Sequence, residues 1–157
     1  MLRVGFAMSD HLHFWSYLNC LRSHPQVEVV GIWDRPGRSI EGLTRFESLD
    51  SLLDGVDALA IMSQNSDHAD LIEAAAAKGK HILCEKPVVT NRVDLERVRE
   101  AVAGKPLKFV TCFPCRFAPA FQRLLERVRA GDIGELRAVC ATNHGSWPER
   151  FAEWFVD

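Results

Sequence analysis

Apolar residues along the chain alternate between short continuous runs and longer segments in which they recur at helical spacing. Continuous runs are typical of strands covered on both faces, and the recurrent spacing is typical of amphipathic helices. The predicted strands cover residues 2–8, 27–33, 57–62, 81–84, 107–112 and 136–141. The predicted helices cover residues 13–22, 49–53, 67–78, 91–103 and 119–130, with a loop over 35–44. Strands that alternate with helices predict an α/β fold, a doubly wound parallel sheet with helices on both faces.

Polar and glycine residues mark several element ends. Ser9 and Asp10 are good N-caps for the first helix, and Asn91 suits the same position before the fourth. Gly79 is expected to end the alanine-rich helix, because glycine readily adopts the left-handed conformation found at helix C-termini. These residues support the element boundaries given above.

The composition is that of a globular protein without a strong charge preference. Of 157 residues, 47% are apolar and 25% are charged, which is enough for one domain with a core. The net charge of −2 predicts no general attraction to nucleic acid or anionic membranes. No apolar run approaches the length of a membrane span, and the N-terminal MLRVGFAMSD has the pattern of a first strand and not of a signal peptide. We therefore expect a cytoplasmic protein.

The chain has five cysteines, which are expected to be reduced in the cytoplasm. Cys112 and Cys115 have C-x-x-C spacing, which is compatible with redox chemistry or metal binding. A zinc site needs about four ligands, and neither a second C-x-x-C nor paired histidines follow. The two cysteines are therefore interpreted as lining the end of the fifth strand, and no metal site is predicted.

A charged pair stands where the fourth strand should end. Glu85 and Lys86 follow the apolar run 82–84, and Pro87 helps to stop the strand because it cannot donate a ladder hydrogen bond. In an open α/β sheet, ligands bind outside the carboxyl ends of the strands, so this pair is placed to contact a ligand. A solvated ion pair in a loop is the alternative. The residues alone do not decide between the two.

The first strand–helix turn lacks the glycine pattern of a dinucleotide-binding loop. Where G-x-G-x-x-G is expected, the sequence has Gly5, Phe6, Ala7, Met8, Ser9 and Asp10. Ala7 and Ser9 are small enough to supply part of the tight turn, whereas Met8 and Asp10 suit it less. The Asp10 carboxylate would repel a pyrophosphate. The alternative is that Asp10 serves only to cap the helix.

Asp34 follows directly after the second predicted strand. An acid at this position can accept hydrogen bonds from ribose hydroxyls and repels a 2′-phosphate, which favours NAD over NADP. Arg35 weakens that preference, because an arginine there can stack on adenine or bind the phosphate. A turn-initiating aspartate is the alternative interpretation of Asp34.

Three histidines lie near the same strand ends. His11 and His13 flank the first turn, and one is expected to cap or pack while the other is solvated. A metal role is not expected for them, because no third ligand is evident nearby. His68, close to Asn65, is interpreted either as a neutral group facing a ligand or as a first-turn surface histidine.

Four large aromatic residues lie in the irregular C-terminal stretch 143–157, namely Trp147, Phe151, Trp154 and Phe155. Such a concentration of aromatic side chains needs a partner surface. We expect the chain to stop before the structure to which this stretch belongs is complete.

Several segments together resemble the N-terminal half of the Gfo/Idh/MocA family, the group of glucose–fructose oxidoreductase and inositol dehydrogenase. The E-K-P at residues 85–87, within HILCEKPVV, is the most specific motif of that family, and DALAIMSQNSDHADLIEAAAAKGKHILCEKP resembles the family's run that ends with it. The segment RFAPAFQRLLERVRAGDIGELRAV resembles the next helix, the G-x-I-G turn and the first strand of the family's second domain. The resemblance extends over nearly the whole chain.

The resemblance implies a Rossmann-type domain over residues 1–118 that binds NAD or NADP. It implies hydride transfer between the nicotinamide and a carbinol carbon of a sugar or cyclitol. Residues 119–157 would be the connecting helix and first strand of a truncated C-terminal domain. By position, Lys86 is implied as the catalytic residue and substrate contact, since a lysine can stabilise a developing alkoxide and transfer a proton. Arg116 is implied on the substrate side.

The same resemblance assigns cofactor contacts. Glu85 would hold the nicotinamide ribose, Asp34 the adenosine ribose, and Asn65 and His68 would line the cleft beside the nicotinamide. The full set of predicted cofactor contacts is Ala7, Met8, Ser9, Asp10, His11, Asp34, Arg35, Asn65, His68, Glu85 and Lys86.

Three features depart from the family pattern. The glycine loop is degraded, Gln64 replaces a usual proline, and the chain ends at Asp157, before the D-x-x-x-H pair of the family's second domain. The fragment alone is expected to bind cofactor weakly and to turn over little. The expected partner is a small polyol or sugar, not nucleic acid or membrane, and a full-length member is expected to be a homo-oligomer.

Two other functions stay open from the sequence. One is a non-catalytic module that binds or senses a nucleotide after its glycine loop has decayed. The other is an interaction domain that uses the aromatic residues of 147–157.

Overall fold

A computed structural model describes residues 1–142 of the chain. These residues form two compact units, one of residues 1–112 and one that begins at Phe113. The predicted domain boundary after residue 118 stays a prediction. The aromatic residues of 147–157, and the interaction surface predicted from them, lie outside the described residues.

Five parallel strands form the sheet of the first unit. They are β1 (Leu2–Ala7), β2 (Val27–Trp33), β3 (Ala58–Ile61), β4 (His81–Cys84) and β5 (Phe109–Thr111). The strand order is β2-β1-β3-β4-β5, and every neighbouring pair is parallel. The sequence predicted each of these strands to within two residues at either end.

The sixth predicted strand, at residues 136–141, is wrong, because this stretch has no regular secondary structure. The backbone of a strand needs hydrogen bonds to a neighbouring strand. Within residues 1–142, no strand pairs with this stretch. Leu136 and Val139 are 53% and 76% exposed, so the apolar pattern buries little here and does not compensate for the missing ladder.

A single-residue bridge extends the sheet beyond β2. Ile32 donates its N–H to the Thr44 carbonyl at 2.9 Å and accepts the Phe46 N–H at 2.8 Å, so that Arg45 pairs with Ile32 in parallel. Gly31 permits this approach, because a Cβ there would lie 2.3 Å from the Thr44 oxygen. With the bridge as the outer strand, the order matches the 3-2-1-4-5-6 order of dinucleotide-binding folds, and the switch point lies between β1 and β3.

Five α-helices accompany the strands in the described part of the chain, and the sequence predicted each to within one residue at either end. They are α1 (Phe14–Ser23), α2 (Leu49–Asp54), α3 (His68–Ala77), α4 (Arg92–Val102) and, in the second unit, α5 (Pro119–Arg129). Two 3₁₀ turns, Asn65–Asp67 and Pro114–Phe117, were not predicted. Within residues 1–142, none of the helices combines the length and the apolar character needed to cross a bilayer.

The predicted helix ends are confirmed for α3 and α4 but not for α1. The Asn91 side chain caps α4 by accepting the Asp94 N–H at 2.9 Å, and Gly79 follows α3 with φ +66°. The prediction that Ser9 or Asp10 caps α1 is wrong. The N-cap is His13, whose side chain makes no capping hydrogen bond. The loop before α1 is longer than expected, so the helix begins beyond Ser9 and Asp10.

Apolar side chains cover both faces of the sheet, as the doubly wound prediction requires. Alternate residues of β3 point to opposite faces. Leu59 and Ile61 belong to the core cluster that includes residues of α2, α3 and α4, whereas Ala58 and Ala60 belong to the cluster that contains Phe14 of α1. A fully buried large apolar side chain contributes roughly 1.5–3 kcal/mol. These two layers therefore hold the strand ends, and the loops that follow them, in fixed positions.

Candidate active site at the carboxyl edge of the sheet

The loops that follow β1, β2, β3 and β4 meet at the carboxyl edge of the sheet. Backbone hydrogen bonds connect them. The Met8 N–H donates to the Trp33 carbonyl at 2.8 Å, and the His11 N–H donates to the Met62 carbonyl at 2.9 Å. Glu85 follows β4 at the same edge. Ligands of open α/β sheets bind outside this edge, beside the switch point.

The turn after β1 occurs three residues later than the predicted glycine register assumed. Gly5 lies within β1, where a Cβ would stand 2.6 Å from Leu52 Cδ1. The chain turns at Met8, whose φ of +65° lies in the left-handed region that favours glycine. The glycine positions of G-x-G-x-x-G therefore fall on Met8, Asp10 and His13, and the register that began at Gly5 is wrong.

Asp10 forms ion pairs and does not cap a helix. Its side chain is 2% exposed, lies 3.0 Å from Arg35 Nη2, and also pairs with Arg38. Arg35 Nη2 also lies 2.8 Å from Asp67 Oδ2, so that Arg35 connects the loops after β1, β2 and β3. The hydrogen bond from Arg35 to Asp10 is the largest cause of the raised pKa of the guanidinium. Arg35, predicted at the adenine or phosphate, is thus already held by two carboxylates.

Asp34 is buried directly after β2, with 3% of its surface exposed. The Ser9 hydroxyl donates to Oδ2 at 2.5 Å, and the Arg35 N–H donates to Oδ1 at 2.8 Å. Arg38 Nη1 lies 3.9 Å from Oδ1, on a side chain that is 46% exposed. An ionised carboxylate has about four lone-pair positions, so about two stay available for further donors.

Glu85 is fully buried, although it was open from the sequence whether it is solvated. His13 Nδ1 lies 2.7 Å from Oε1, and the Lys86 N–H donates to Oε2 at 2.7 Å. Buried carboxylates are held by hydrogen bonds or charges of this kind, because an unpaired one is costly to remove from water. The alternative of a solvated ion pair is therefore wrong for Glu85. Lys86 itself is half-buried.

The two histidines of the first loop differ in burial, as predicted. His11 is 2% exposed, and its burial lowers the pKa of the imidazole to about 4, with Glu85 acting in the opposite direction. The His13 side chain is 39% exposed. The reason given against a metal role, the lack of a third ligand nearby, is wrong. Ligand atoms of His11, His13 and Glu85 all lie within 4.8 Å of one another.

His68 is fully buried at the start of α3, so the alternative of a surface histidine is wrong. Its Nδ1 lies 2.9 Å from the Pro87 carbonyl oxygen and 3.3 Å from that of Val88, and its Nε2 lies 3.3 Å from the Ser63 carbonyl oxygen. The imidazole therefore connects the end of β3 with the segment after β4. Its predicted contact with a cofactor stays a prediction.

The other predicted site residues are distributed between the two units. Ala7 is the buried last residue of β1, and Asn65 is half-buried in the turn Asn65–Asp67. Arg116 is exposed in the turn Pro114–Phe117 of the second unit. Their contacts with a cofactor or substrate stay predictions.

Three residues of the site were missing from the predicted set. Arg38 pairs with Asp10 and lies 3.9 Å from Asp34 Oδ1. His13 and Asp67 hold Glu85 and Arg35, respectively. For His13, the sequence signal was the corrected position of the turn, which places this residue at the third glycine of G-x-G-x-x-G. Nothing in the local sequence around Asp67 indicates its partner, which comes from a different strand end.

Cys112 follows β5 directly, as its interpretation at a strand end predicted, and it is buried, whereas Cys115 is exposed. Both are free thiols. Burial is the largest cause of the pKa of Cys112 rising to about 11. A thiol that stays protonated at neutral pH is a poor nucleophile and metal ligand.

Comparison with known proteins gives matches over most of the chain. A family model described as an oxidoreductase family with an NAD-binding Rossmann fold, GFO_IDH_MocA, matches residues 4–112. A dTDP-3,4-didehydro-2,6-dideoxy-alpha-D-glucose 3-reductase of Actinomadura kijaniata is 31% identical over 149 residues, which are 90% of this chain and 45% of that protein. An inositol 2-dehydrogenase of Rhizobium meliloti (strain 1021) is 38% identical over 91 residues, 56% of this chain and 27% of that protein.

Solved structures share the fold. A probable dehydrogenase from Thermotoga maritima has a TM-score of 0.76 at 28% identity, covering 85% of this chain and 42% of that one. A myo-inositol 2-dehydrogenase from Lactobacillus plantarum has a TM-score of 0.76 at 20% identity, with the same two coverages of 85% and 42%. The chain spans less than half the length of these relatives.

Proposed function

Since the chain belongs to the Gfo/Idh/MocA family of oxidoreductases with an NAD-binding Rossmann fold, we propose that it is the dinucleotide-binding part of an enzyme acting on a sugar or cyclitol. The reaction is hydride transfer between the nicotinamide and a hydroxyl or carbonyl group of that substrate. The membership confirms the resemblance predicted from the E-K-P motif. Relatives named as an inositol dehydrogenase and a dTDP-sugar reductase support the substrate class.

The observation that carries this proposal is the arrangement around Lys86 at the end of β4. On one side, Glu85 Oε2 accepts the Lys86 N–H at 2.7 Å. On the other, His68 Nδ1 lies 2.9 Å from the carbonyl of Pro87, the next residue. A lysine whose backbone is held on both sides, beside the switch point of the sheet, is placed to act on a ligand at this edge.

The residues of the sheet edge fit a nicotinamide dinucleotide. Asp34 has about two lone-pair positions left for the hydroxyls of the adenosine ribose. The Arg38 side chain, which is 46% exposed, lies 3.9 Å from Asp34 Oδ1, and we expect it to move when those hydroxyls bind. Met8 adopts the left-handed turn that a phosphate-binding loop requires. Glu85 is assigned to the nicotinamide ribose, and Asn65 and His68 to the nicotinamide side of the cleft.

NAD is proposed in preference to NADP. A 2′-phosphate would meet the negative charge of Asp34. Two nearby cations that could compensate for it, Arg35 and Arg38, are already paired with Asp10, and Arg35 also with Asp67. Binding a 2′-phosphate would therefore cost existing ion pairs, whereas ribose hydroxyls need only acceptors.

Lys86 is assigned the proton transfer and charge stabilisation of the reaction. The bound dinucleotide supplies the carbon that accepts or gives up the hydride. In the oxidation direction, Lys86 in its neutral form would receive the proton of the substrate hydroxyl on Nζ. In its ammonium form it would stabilise the alkoxide, and the proton would pass to a second base or to water. Arg116 is assigned to the substrate side, and residues 1–118 to the dinucleotide-binding domain.

A nucleotide-binding or sensing module without catalysis is a second candidate, favoured by the loop after β1. None of its glycine positions, Met8, Asp10 and His13, holds a glycine. The His13 N–H donates to His11 Nδ1 at 3.2 Å, and the Phe14 N–H donates to the His11 carbonyl at 2.9 Å. These first amide groups of α1 therefore already have protein acceptors and are less available to a phosphate.

The decisive experiment titrates the protein with NADH and with NADPH, followed by nicotinamide fluorescence. We expect saturable NADH binding that Asp34→Asn weakens at least tenfold, because the amide loses the charge and one acceptor. Asp50→Asn is the matched control, since Asp50 is an exposed aspartate whose ion-pair partner within residues 1–142 is Lys78. A folded protein that binds neither dinucleotide would overturn the proposal. Tighter binding of NADPH would overturn the preference for NAD.

A further inference from the structure

Three potential metal ligands from two loops meet at one place. His11 and His13 belong to the loop after β1, and Glu85 follows β4, 72 residues beyond His13. Glu85 Oε1 lies 2.7 Å from His13 Nδ1 and 3.6 Å from His11 Nδ1. Tetrahedral zinc bound at about 2.0–2.1 Å separates its ligand atoms by roughly 3.3 Å. The two measured separations bracket that value, and the ligand atoms of all three residues lie within 4.8 Å of one another. Coordination through His11 Nδ1 would replace the hydrogen bond that this atom accepts from the His13 N–H at 3.2 Å.

We propose that His11, His13 and Glu85 bind a divalent transition-metal ion of the zinc class. Two imidazoles and one carboxylate form a known ligand set for zinc in sites that keep a fourth position open. Imidazole ligands favour zinc, copper and nickel over magnesium and calcium, which prefer oxygen ligands. The ion would take the place of the hydrogen bond between His13 Nδ1 and Glu85 Oε1, and the proton of that hydrogen bond would be released to solvent.

The ligands are held by the backbone around them. The Lys86 N–H binds Glu85 Oε2, which leaves Oε1 directed at the histidines. The His11 N–H donates to the Met62 carbonyl at 2.9 Å, which fixes the loop of His11 against the end of β3. Such supporting contacts are what orient ligands in metal sites. They also mean that little conformational entropy is lost on binding.

The site is accessible from one side. His11 and Glu85 are buried, whereas the His13 side chain is 39% exposed. We therefore expect an ion to reach the cluster past His13. The positive charge of Lys86 acts on His11 and reduces the affinity for a cation. We therefore expect weaker binding than in structural zinc sites.

The proposal does not depend on dinucleotide binding, although both use Glu85. A dinucleotide ribose that contacts Glu85 and an ion bound to Oε1 would compete for the same carboxylate. The metal test is therefore made without dinucleotide, so that its result is independent of the NADH titration.

The test is a titration of the tag-free protein with Co²⁺, followed by visible absorption, and then by displacement with Zn²⁺. We expect one ion per chain with the intense bands of four-coordinate cobalt, lost on addition of Zn²⁺. His13→Gln removes the accessible ligand and should weaken binding at least tenfold. His24→Gln is the matched control, because His24 is an exposed histidine outside the cluster.

Circular dichroism of each variant establishes that it is folded. Glu85→Gln, which keeps the shape of the side chain, is a second variant expected to weaken binding. The proposal is overturned if the protein binds no stoichiometric ion. It is equally overturned if His13→Gln and His24→Gln bind cobalt as the unaltered protein does, because the ion then sits elsewhere.

Discussion

Burial changes the meaning of individual charged residues at the sheet edge. Glu85 follows a strand and precedes Lys86 and Pro87, a setting in which a charged side chain is usually solvated. It is nevertheless fully buried and hydrogen-bonded to His13 and to the Lys86 N–H. Asp10 has the identity of a helix cap, yet it binds two arginines. In both cases a partner from a distant loop decides the role of the residue.

Lys86 is the residue whose substitution tests the proposed chemistry. In the complete enzyme to which this chain is proposed to belong, we expect Lys86→Ala to lower kcat by about 10²–10⁴-fold, the usual contribution of a general acid or base, with a smaller change in KM. Formation of NADH from NAD with a panel of cyclitols and sugars measures this. Lys78→Ala, which removes ion pairs to the exposed Asp50 and Asp54 and a hydrogen bond to the Asp50 carbonyl, should leave kcat unchanged. An unaltered kcat in Lys86→Ala, with a substrate that the enzyme turns over, would contradict the assignment.

At the scale of the elements, the bridge at Arg45 supports the site. The hydrophobic pattern of the sequence does not show this bridge. The stretch around Arg45 has a single pairing with β2, yet it completes the strand order of a dinucleotide-binding sheet. Arg45 Nη2 also donates to the Asp34 carbonyl at 2.8 Å. The bridge therefore supports the end of β2, where the proposed ribose-binding carboxylate lies.

Gly31→Ala tests whether this bridge contributes to stability. The added Cβ would lie 2.3 Å from the Thr44 oxygen and 2.7 Å from the Phe46 ring, so the bridge has to move away. We expect the free energy of unfolding to fall by about 1–3 kcal/mol, the usual cost of overpacking, measured by urea denaturation. Gly55→Ala is the control, because its Cβ would have no neighbour closer than 3.4 Å. Equal stability of the two variants would show that the bridge yields without cost.

At the scale of the molecule, the carboxyl edge of the sheet is the place where two ligands are proposed to bind the first unit. The family membership accounts for the dinucleotide, and the cluster of His11, His13 and Glu85 accounts for the metal ion. Because both proposals involve Glu85, the two ligands should affect the stability of the whole unit in a coupled way.

Thermal unfolding with each ligand and with both measures that coupling. A ligand that binds only the folded state at 100 times its Kd stabilises it by about 2.7 kcal/mol. We expect NADH and Zn²⁺ each to raise the Tm, and the two together to raise it by less than the sum of the separate effects. Additive increases would contradict shared use of Glu85, and Asp34→Asn should reduce the NADH effect while leaving the Zn²⁺ effect intact.

The succession of the five strands and five helices along the chain, and their bounds to within two residues, followed from the sequence by itself. These features depend on which residues of a short segment are apolar, and a strand or helix buries its apolar positions in nearly the same way wherever it lies in a fold. Asn91 as a cap and Gly79 as a helix end depend on backbone groups within a few residues, so they were predicted as well. The E-K-P motif was the sequence feature that most specifically indicated the family.

Contacts between loops were decided only by the tertiary structure. The meeting of His11, His13 and Glu85 joins loops whose residues are 72 positions apart, and nothing in either local segment specifies the other. The turn at Met8 has a conformation that a methionine adopts only when the surrounding sheet imposes it. At 136–141, the reverse holds: the local pattern of a strand is present, but the neighbouring strand that would supply its hydrogen bonds is not found within residues 1–142. Local patterns determine which face of an element is buried, and only the packing of the elements determines which side chains meet.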